Sequence, residues 1–211
     1  MQLRLSRRVI KEDLLSETIY SVAGVDVAYT KNYSIGAVCV LDYASLSVIE
    51  MKTAIVKTQF PYIPTLLSFR EIRPSMRAVA KLKTQPDVFL VDGQGISHPY
   101  RLGFASHLGL VLNKPTIGVA KSLLCGQIES VDSRGWALIT DKEEIIGAAF
   151  AKKGRKPIYV SIGHRVSLDR AMNIAMHCTL SHRISVPIRA AHATANVEKK
   201  RLIEDMGKRV G

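Results

Sequence analysis

The order of apolar and polar positions splits the chain into two regimes. A dense apolar stretch from Thr18 to Thr30 reads as a strand. Two more β-rich stretches, Ile35 to Leu41 and Ser47 to Val56, follow it across short turns as a meander. Pro61-Tyr62-Ile63-Pro64 breaks the pattern. Each proline lacks a backbone donor and pushes the residue before it toward extended geometry, so a stiff, exposed loop is expected. A short helix from Leu66 to Ile72 and another opening at Pro74, a good first-turn residue, come next. Val88-Phe89-Leu90-Val91 is the continuous apolar run of a buried parallel strand, and Asp92 ends it. Ser97-His98-Pro99 reads as a cap and an early proline opening a helix on which Leu102, Ala105, Leu108 and Leu112 share a face. Pro115 to Ala120 is the next strand, and Trp136 to Thr140 with Ile145 to Phe150 forms a hairpin pair. Ile158 to Ser161 is a short strand before a helix opened by Ser167, with Leu168, Ala171 and Ala175 turned inward, and a last helix starts near Pro187. A meander followed by alternating strands and helices predicts the α/β class, with a central mixed β-sheet flanked by α-helices. No repeat is present, and only Glu198 to Gly211 is expected to be loosely held.

Size and charge then narrow the class. The 211 residues, 47% apolar, suit a single domain over 1–211 with one sizeable core. Met1 to Arg8 is basic, but no apolar run of signal-peptide or membrane-spanning length follows, so a soluble cytoplasmic protein with no membrane partner is expected. Cys39, Cys125 and Cys178 are odd in number, far apart and set among apolar residues, which suits free thiols better than disulfides or zinc. Lys and Arg number 30 against 18 Asp and Glu, a net charge of +12. That excess favours a polyanionic partner bound through its phosphates, without distinguishing DNA from RNA.

Against this basic background a few acidic positions stand out. Asp26 sits inside Val22-Ala23-Gly24-Val25-Asp26-Val27-Ala28-Tyr29, where an ionised carboxylate is costly unless a cation offsets it. An aspartate facing water on an edge strand is the equal alternative. Asp92 lies at the carboxyl end of a parallel strand, where open α/β sheets place ligands, and Gly93-Gln94-Gly95 after it would let a base or phosphate approach main-chain donors. A plain tight turn explains the same residues. Glu71, after Ser68-Phe69-Arg70, could turn its carboxylate over the sheet. Carboxylates meeting there would bind Mg²⁺ or Mn²⁺ and support in-line phosphodiester hydrolysis. Lys121, after the strand, could meet a phosphate, and Arg189 and His192 share a face of the last helix. His98 beside the glycine turn could touch substrate, and Gly163-His164-Arg165 could hold a phosphate or merely close a loop. Tyr62, a rigid loop aromatic, has the form of a wedge between bases.

In this order the pieces resemble the endonuclease V family over nearly the whole chain. The run begins with Gly24-Val25-Asp26, Pro61-Tyr62-Ile63-Pro64, Leu67-Ser68-Phe69-Arg70-Glu71 and Val91-Asp92-Gly93. It continues with Gly95-Ile96-Ser97-His98-Pro99, Ala105-Ser106-His107-Leu108-Gly109, Pro115-Thr116-Ile117-Gly118-Val119-Ala120-Lys121 and Gly163-His164-Arg165-Val166-Ser167-Leu168. The resemblance implies a ribonuclease H-like fold and Mg²⁺ dependence, with Mn²⁺ able to substitute. It implies cleavage of DNA containing deoxyinosine at the second phosphodiester bond 3′ of the lesion, leaving 3′-hydroxyl and 5′-phosphate ends, by a monomer. Inosine-containing RNA is the alternative substrate. Asp26, Asp92 and Glu71 would hold metal, His192 would stand near it, and Lys121 would stabilise the phosphate. Tyr62, with Pro61, Ile63 and Pro64, would be the wedge behind the flipped base. Leu67, Gly93, Gly95, His98, Phe104 and Leu124 would line the hypoxanthine pocket, with Arg189 on the strand. Three positions depart from the family pattern: Gln94 for His, Thr65 for Gly in the wedge loop, and Ile162 for Pro. Another ribonuclease H-like nuclease reading strand structure is the rival enzyme, and a basic binding module without catalysis is the rival of another class.

Overall fold

The structure, a computed structural model, describes residues 1–208. A nine-stranded sheet, in the order β3-β2-β1-β4-β5-β9-β8-β7-β6, forms its spine. The meander is β1 (Ser21–Tyr29), β2 (Tyr33–Asp42) and β3 (Val48–Lys57), paired antiparallel. β4 (Val88–Asp92) and β5 (Thr116–Ala120) continue from β1 in parallel. β9 (Ile158–His164) then pairs antiparallel with β5, and β8 (Glu144–Phe150), β7 (Ala137–Asp141) and β6 (Gln127–Val131) extend that edge. The expected mixed sheet and the expected hairpin are both present.

Side-chain alternation along the strands makes two cores, one on each face. Ala23, Val25, Phe89 and Val91 pack with Ala78 of α2 (Leu67–Val79) and with Phe104, Ala105 and Leu108 of α3 (Phe104–Leu112). On the other face Val22, Val88, Leu90 and Ile117 pack with Met172 and Ala175 of α4 (Leu168–His177) and with Ile188 and Ala191 of α5 (Val186–Gly207). Ser167 caps α4 as its position suggests, accepting from the Arg170 backbone N–H. Cys39, Cys125 and Cys178 are free thiols.

Four expectations need correction. The two helices around Pro74 are one, α2, with Pro74 buried inside it against Gly36 of β2. Burial of that face holds the helix together although Pro74 cannot donate to the preceding turn. The helix expected at Ser97 to Pro99 starts instead at Phe104, with Gly103 in the cap position. Residues 97–103 form a compact turn closed by the Gly103 N–H on the Gly95 carbonyl (2.9 Å) and the Arg101 N–H on the His98 carbonyl (2.8 Å). Residues 198–207, expected to be loose, continue α5, and residues 209–211 of that expectation lie outside the described residues. Two elements were not expected at all: α1 (Gln2–Ser6) and the fully exposed edge strand β6. Among the described residues no helix is long and apolar enough to cross a membrane.

Candidate active site

Strand register brings the first two carboxylates together. Val25 pairs with Val91 across the parallel β1–β4 ladder, so one step further Asp26 and Asp92 stand side by side at the carboxyl end of the sheet. Alternation turns both toward α5, the side on which Val22 and Leu90 are packed. Gly24 lets α5 descend onto this face, because a Cβ there would collide with the Pro187 carbonyl. The helix then carries His192 over the carboxylates, with its Nδ1 2.6 Å from Asp26 Oδ2. Asn196 Nδ2 lies 3.0 Å from His192 Nε2 and also donates to the His192 carbonyl. An amide donor at Nε2 fits the tautomer in which Nδ1 carries the proton and donates to Asp26. Ligand atoms of Asp26, Asp92 and His192 all lie within 4.8 Å of one another.

Glu71 reaches the same end of the sheet from α2, on the opposite face. Its Oε1 accepts from the Tyr29 hydroxyl at 3.0 Å, while its Oε2 is buried without a partner. Burial, aided by the charges of Asp26 and Asp92, pushes the Glu71 carboxyl up to about 8, against the Tyr29 hydrogen bond that lowers it. Asp26 is also raised, first by burial and then by Asp92. Arg70 stacks its guanidinium 4.2 Å from the centre of the Tyr29 ring and is the nearby cation on this side. Lys121, just past β5, donates to Asp92 Oδ2 at 2.7 Å. Asp26, Asp92 and His192 form a donor set that fits a divalent cation, whereas Glu71, expected to complete it, lies outside that group and senses the two aspartates only through their charge, with one buried oxygen unpartnered.

Two cavities flank the acids. The smaller, of about 130 Å³, is lined by Tyr62, Thr65, Leu67, Ser68, Gly93, Gln94, His98, Leu102, Gly103, Phe104 and Leu124. Its volume is far below that of a drug-sized pocket and suits one small ring system. The larger, of about 620 Å³, runs from Asp92 and Lys121 along Arg189 and His192. Of the residues singled out from sequence, Asp92, Lys121, Arg189 and His192 line the larger cavity and Leu67, Gly93, His98, Phe104 and Leu124 the smaller, with Tyr62 exposed at its rim, while Pro61, Ile63 and Pro64 line neither.

Gly95 is not on that wall, since its N–H is held by Ser161 Oγ (2.8 Å) and a Cβ would meet the Ile162 carbonyl. The expectation that this turn presents main-chain donors to a base is corrected in one further respect. The Gly93 N–H is spent on the Val119 carbonyl (3.1 Å), so Gly93 contributes room beside the Phe104 ring rather than a donor. His164 and Arg165 are drawn away into the fold: the Ile10 N–H donates to His164 Nδ1 (3.2 Å), and Arg165 binds Asn113. Residues that sequence reasoning passed over are Tyr29 and Asn196, which orient Glu71 and His192, and Ser68 beside the small cavity. Asn196, four residues after His192 on one helix, could have been found from its spacing.

A family model described as Endonuclease V matches residues 3–193. An endonuclease V of Thermofilum pendens is 44% identical over 207 residues, covering 94% of this chain and 89% of that protein. The crystal structure of an endonuclease V from Streptomyces avermitilis superposes with a TM-score of 0.89 at 37% identity, covering 96% of this chain and 91% of the other. That of the Ciona intestinalis endonuclease V, solved with a 24mer DNA containing an inosine followed by a ribo-adenosine, superposes with a TM-score of 0.86. It is 34% identical and covers 95% of each chain.

Proposed function

Because the chain belongs to the endonuclease V family, with its ribonuclease H-like fold, and is thereby an enzyme that hydrolyses phosphodiester bonds, we propose that it cuts DNA at deaminated adenine. The bond cut is the second phosphodiester 3′ of the hypoxanthine, Mg²⁺ is required, and Mn²⁺ substitutes for it. The observation that carries this reading is the meeting of Asp26, Asp92 and His192 at a groove that Asp92, Lys121, Arg189 and His192 line, with a second, smaller cavity opening at Gly93, the residue after Asp92. Selection of one base and hydrolysis at a neighbouring nucleotide need two such compartments.

Asp26 and Asp92, with Glu71 behind them, would hold the ion. When bound, it supplies Lewis-acid stabilisation of the phosphate and a more acidic water. The chain's own groups do the rest. The +12 surface attracts the strand, and Tyr62 at the rim fills the space left by an extruded base. The small cavity tests the extruded base for fit between Leu67, Phe104 and Leu124. The Lys121 ammonium, beside Asp92 and half exposed, is placed to meet phosphate charge. His192, oriented by Asn196, holds Asp26 in place.

The test is cleavage of an end-labelled strand bearing one inosine, as DNA and as RNA, with Mg²⁺ or with chelator. Cutting of the inosine DNA at one position only when Mg²⁺ is present is expected. Asp92→Asn should lower the rate at least a hundredfold while DNA affinity changes by less than about threefold. Equal cutting of undamaged strands, or full activity of the Asp92 variant, would sink the reading.

A further inference from the structure

Resting on the reading that Tyr62 is a wedge, we infer that Gln2 of α1 is a positioning residue for it, acting through the backbone of Thr65. Ile63-Pro64-Thr65-Leu66 is closed by the Leu66 N–H on the Ile63 carbonyl at 3.0 Å. Proline in second place and positive φ in third are the signature of a type II turn, whose third place favours glycine. Here that place holds Thr65 at φ 67°, a β-branched residue in the left-handed region. A turn of this shape on this residue persists only when its surroundings hold it.

Two donors converge on the Thr65 carbonyl and supply that hold. Gln2 Nε2 donates at 2.7 Å, and His98 Nε2 lies at 3.1 Å. The Tyr100 N–H donates to His98 Nδ1 (3.2 Å), so Nδ1 is the acceptor and Nε2 carries the proton given to Thr65. Burial holds the His98 imidazole neutral by lowering its pKa, which keeps that tautomer in place near neutral pH. Both lone pairs of one carbonyl are thus filled, one from α3's approach loop and one from α1. Gln2 is the buried residue of α1, with 9% of its surface exposed, so the first turn of the chain is spent on this contact. Thr65 itself lines the small cavity, and Tyr62 immediately precedes the turn. Gln2 therefore fixes the aromatic at the cavity mouth without touching substrate.

Four forms of the full chain test the clamp: wild type, Gln2→Met, Thr65→Gly and the double variant. Gln2→Met keeps the packing and deletes the donor. Its loss should speed hydrogen exchange at the Leu66 amide about fivefold and raise KM for an inosine strand about fivefold, with kcat within about twofold. Glycine adopts the turn without strain, so in the Thr65→Gly background the same change should cost less than about twofold. Gln2→Glu, isosteric and without an N–H at neutral pH, should lose at least as much as Gln2→Met. Unchanged Leu66 exchange, or equal losses with threonine and glycine at the turn, would overturn the clamp. The exchange comparison needs no substrate, so a wild-type chain indifferent to inosine would refute the function proposed above while the clamp is still decided.

Discussion

Replacing Glu71 with glutamine isolates what it costs the fold to keep this acid buried near two others. In the metal-free protein the Glu71 carboxyl is pushed up to about 8 from an ordinary 4.5, with burial the largest cause. A folded-state pKa above the unfolded one means that the folded chain binds the proton more tightly. The carboxyl is therefore harmless to stability below pH 4.5, and stability is lost as pH rises from there toward 8. The interval is 3.5 pH units at about 1.4 kcal/mol each, so the full penalty is up to about 5 kcal/mol. That is a large share of the 5–15 kcal/mol typical of a folded domain. Gln keeps an oxygen for the Tyr29 hydroxyl and removes the charge, leaving only a pH-independent cost for its unpaired amide. Urea unfolding in chelator at pH 5, 6.5 and 8 should show the advantage of Glu71→Gln over wild type widening by about 3–4 kcal/mol across the series. Millimolar Mg²⁺ at pH 8 should then stabilise wild type more than the variant, because an ion bound only to the folded state adds stability where its ligands are intact. A gap between the two proteins that stays constant with pH would refute the electrostatic account of this site.

Two further substitutions probe how the site is assembled. Gly24→Ala drives a methyl into the Pro187 carbonyl and must lift α5, with His192, off the sheet. A cost of about 1–3 kcal/mol, read as a melting point lower by about 3–10 °C together with loss of cleavage, is expected, and an unchanged melting point would mean that the helix does not rest on that glycine. Tyr62→Ala should reduce preference for inosine over adenine strands about tenfold while affinity for undamaged DNA changes by less than about twofold. Equal losses on both strands would show that Tyr62 serves general binding instead.

Much of the fold was readable because its signals are local. The apolar runs at β1, β4 and β5 are long and bounded, and Ser167 ends one segment and opens the next with a recognisable cap. β6 was invisible because all five of its residues are exposed, which leaves no alternation to detect. Pro74 misled because a proline's local effect is to end a helix, whereas the burial of α2 on β2 and β3 is a tertiary effect that outweighs it. α5 was cut short for a different reason: its end is as solvated as its polar sequence suggests, with Ile203 and Met206 exposed, and the helix simply runs on to Gly207 from the turns that are packed on the sheet.

The site shows the same division more sharply. Asp26, Glu71, Asp92, Lys121 and Tyr62 each had an ordinary alternative when read singly, and it was their order along the chain, matching the family's motifs, that joined them into one candidate site. What could not be named is whatever acts through a backbone atom. Gln2 stands in a five-residue helix with no cap, and its partner is a carbonyl 63 residues away that any residue would possess. The Gly93 N–H was expected to face a ligand because a glycine turn exposes its main chain, but the parallel strand β5 continues far enough to claim that donor. Thr65 is the exception that links the two groups. A residue with the wrong conformational preference for its turn marks, in the sequence itself, a place where some distant group must supply the missing stability. Such mismatches at otherwise regular turns are therefore where long-range positioning contacts should be sought first.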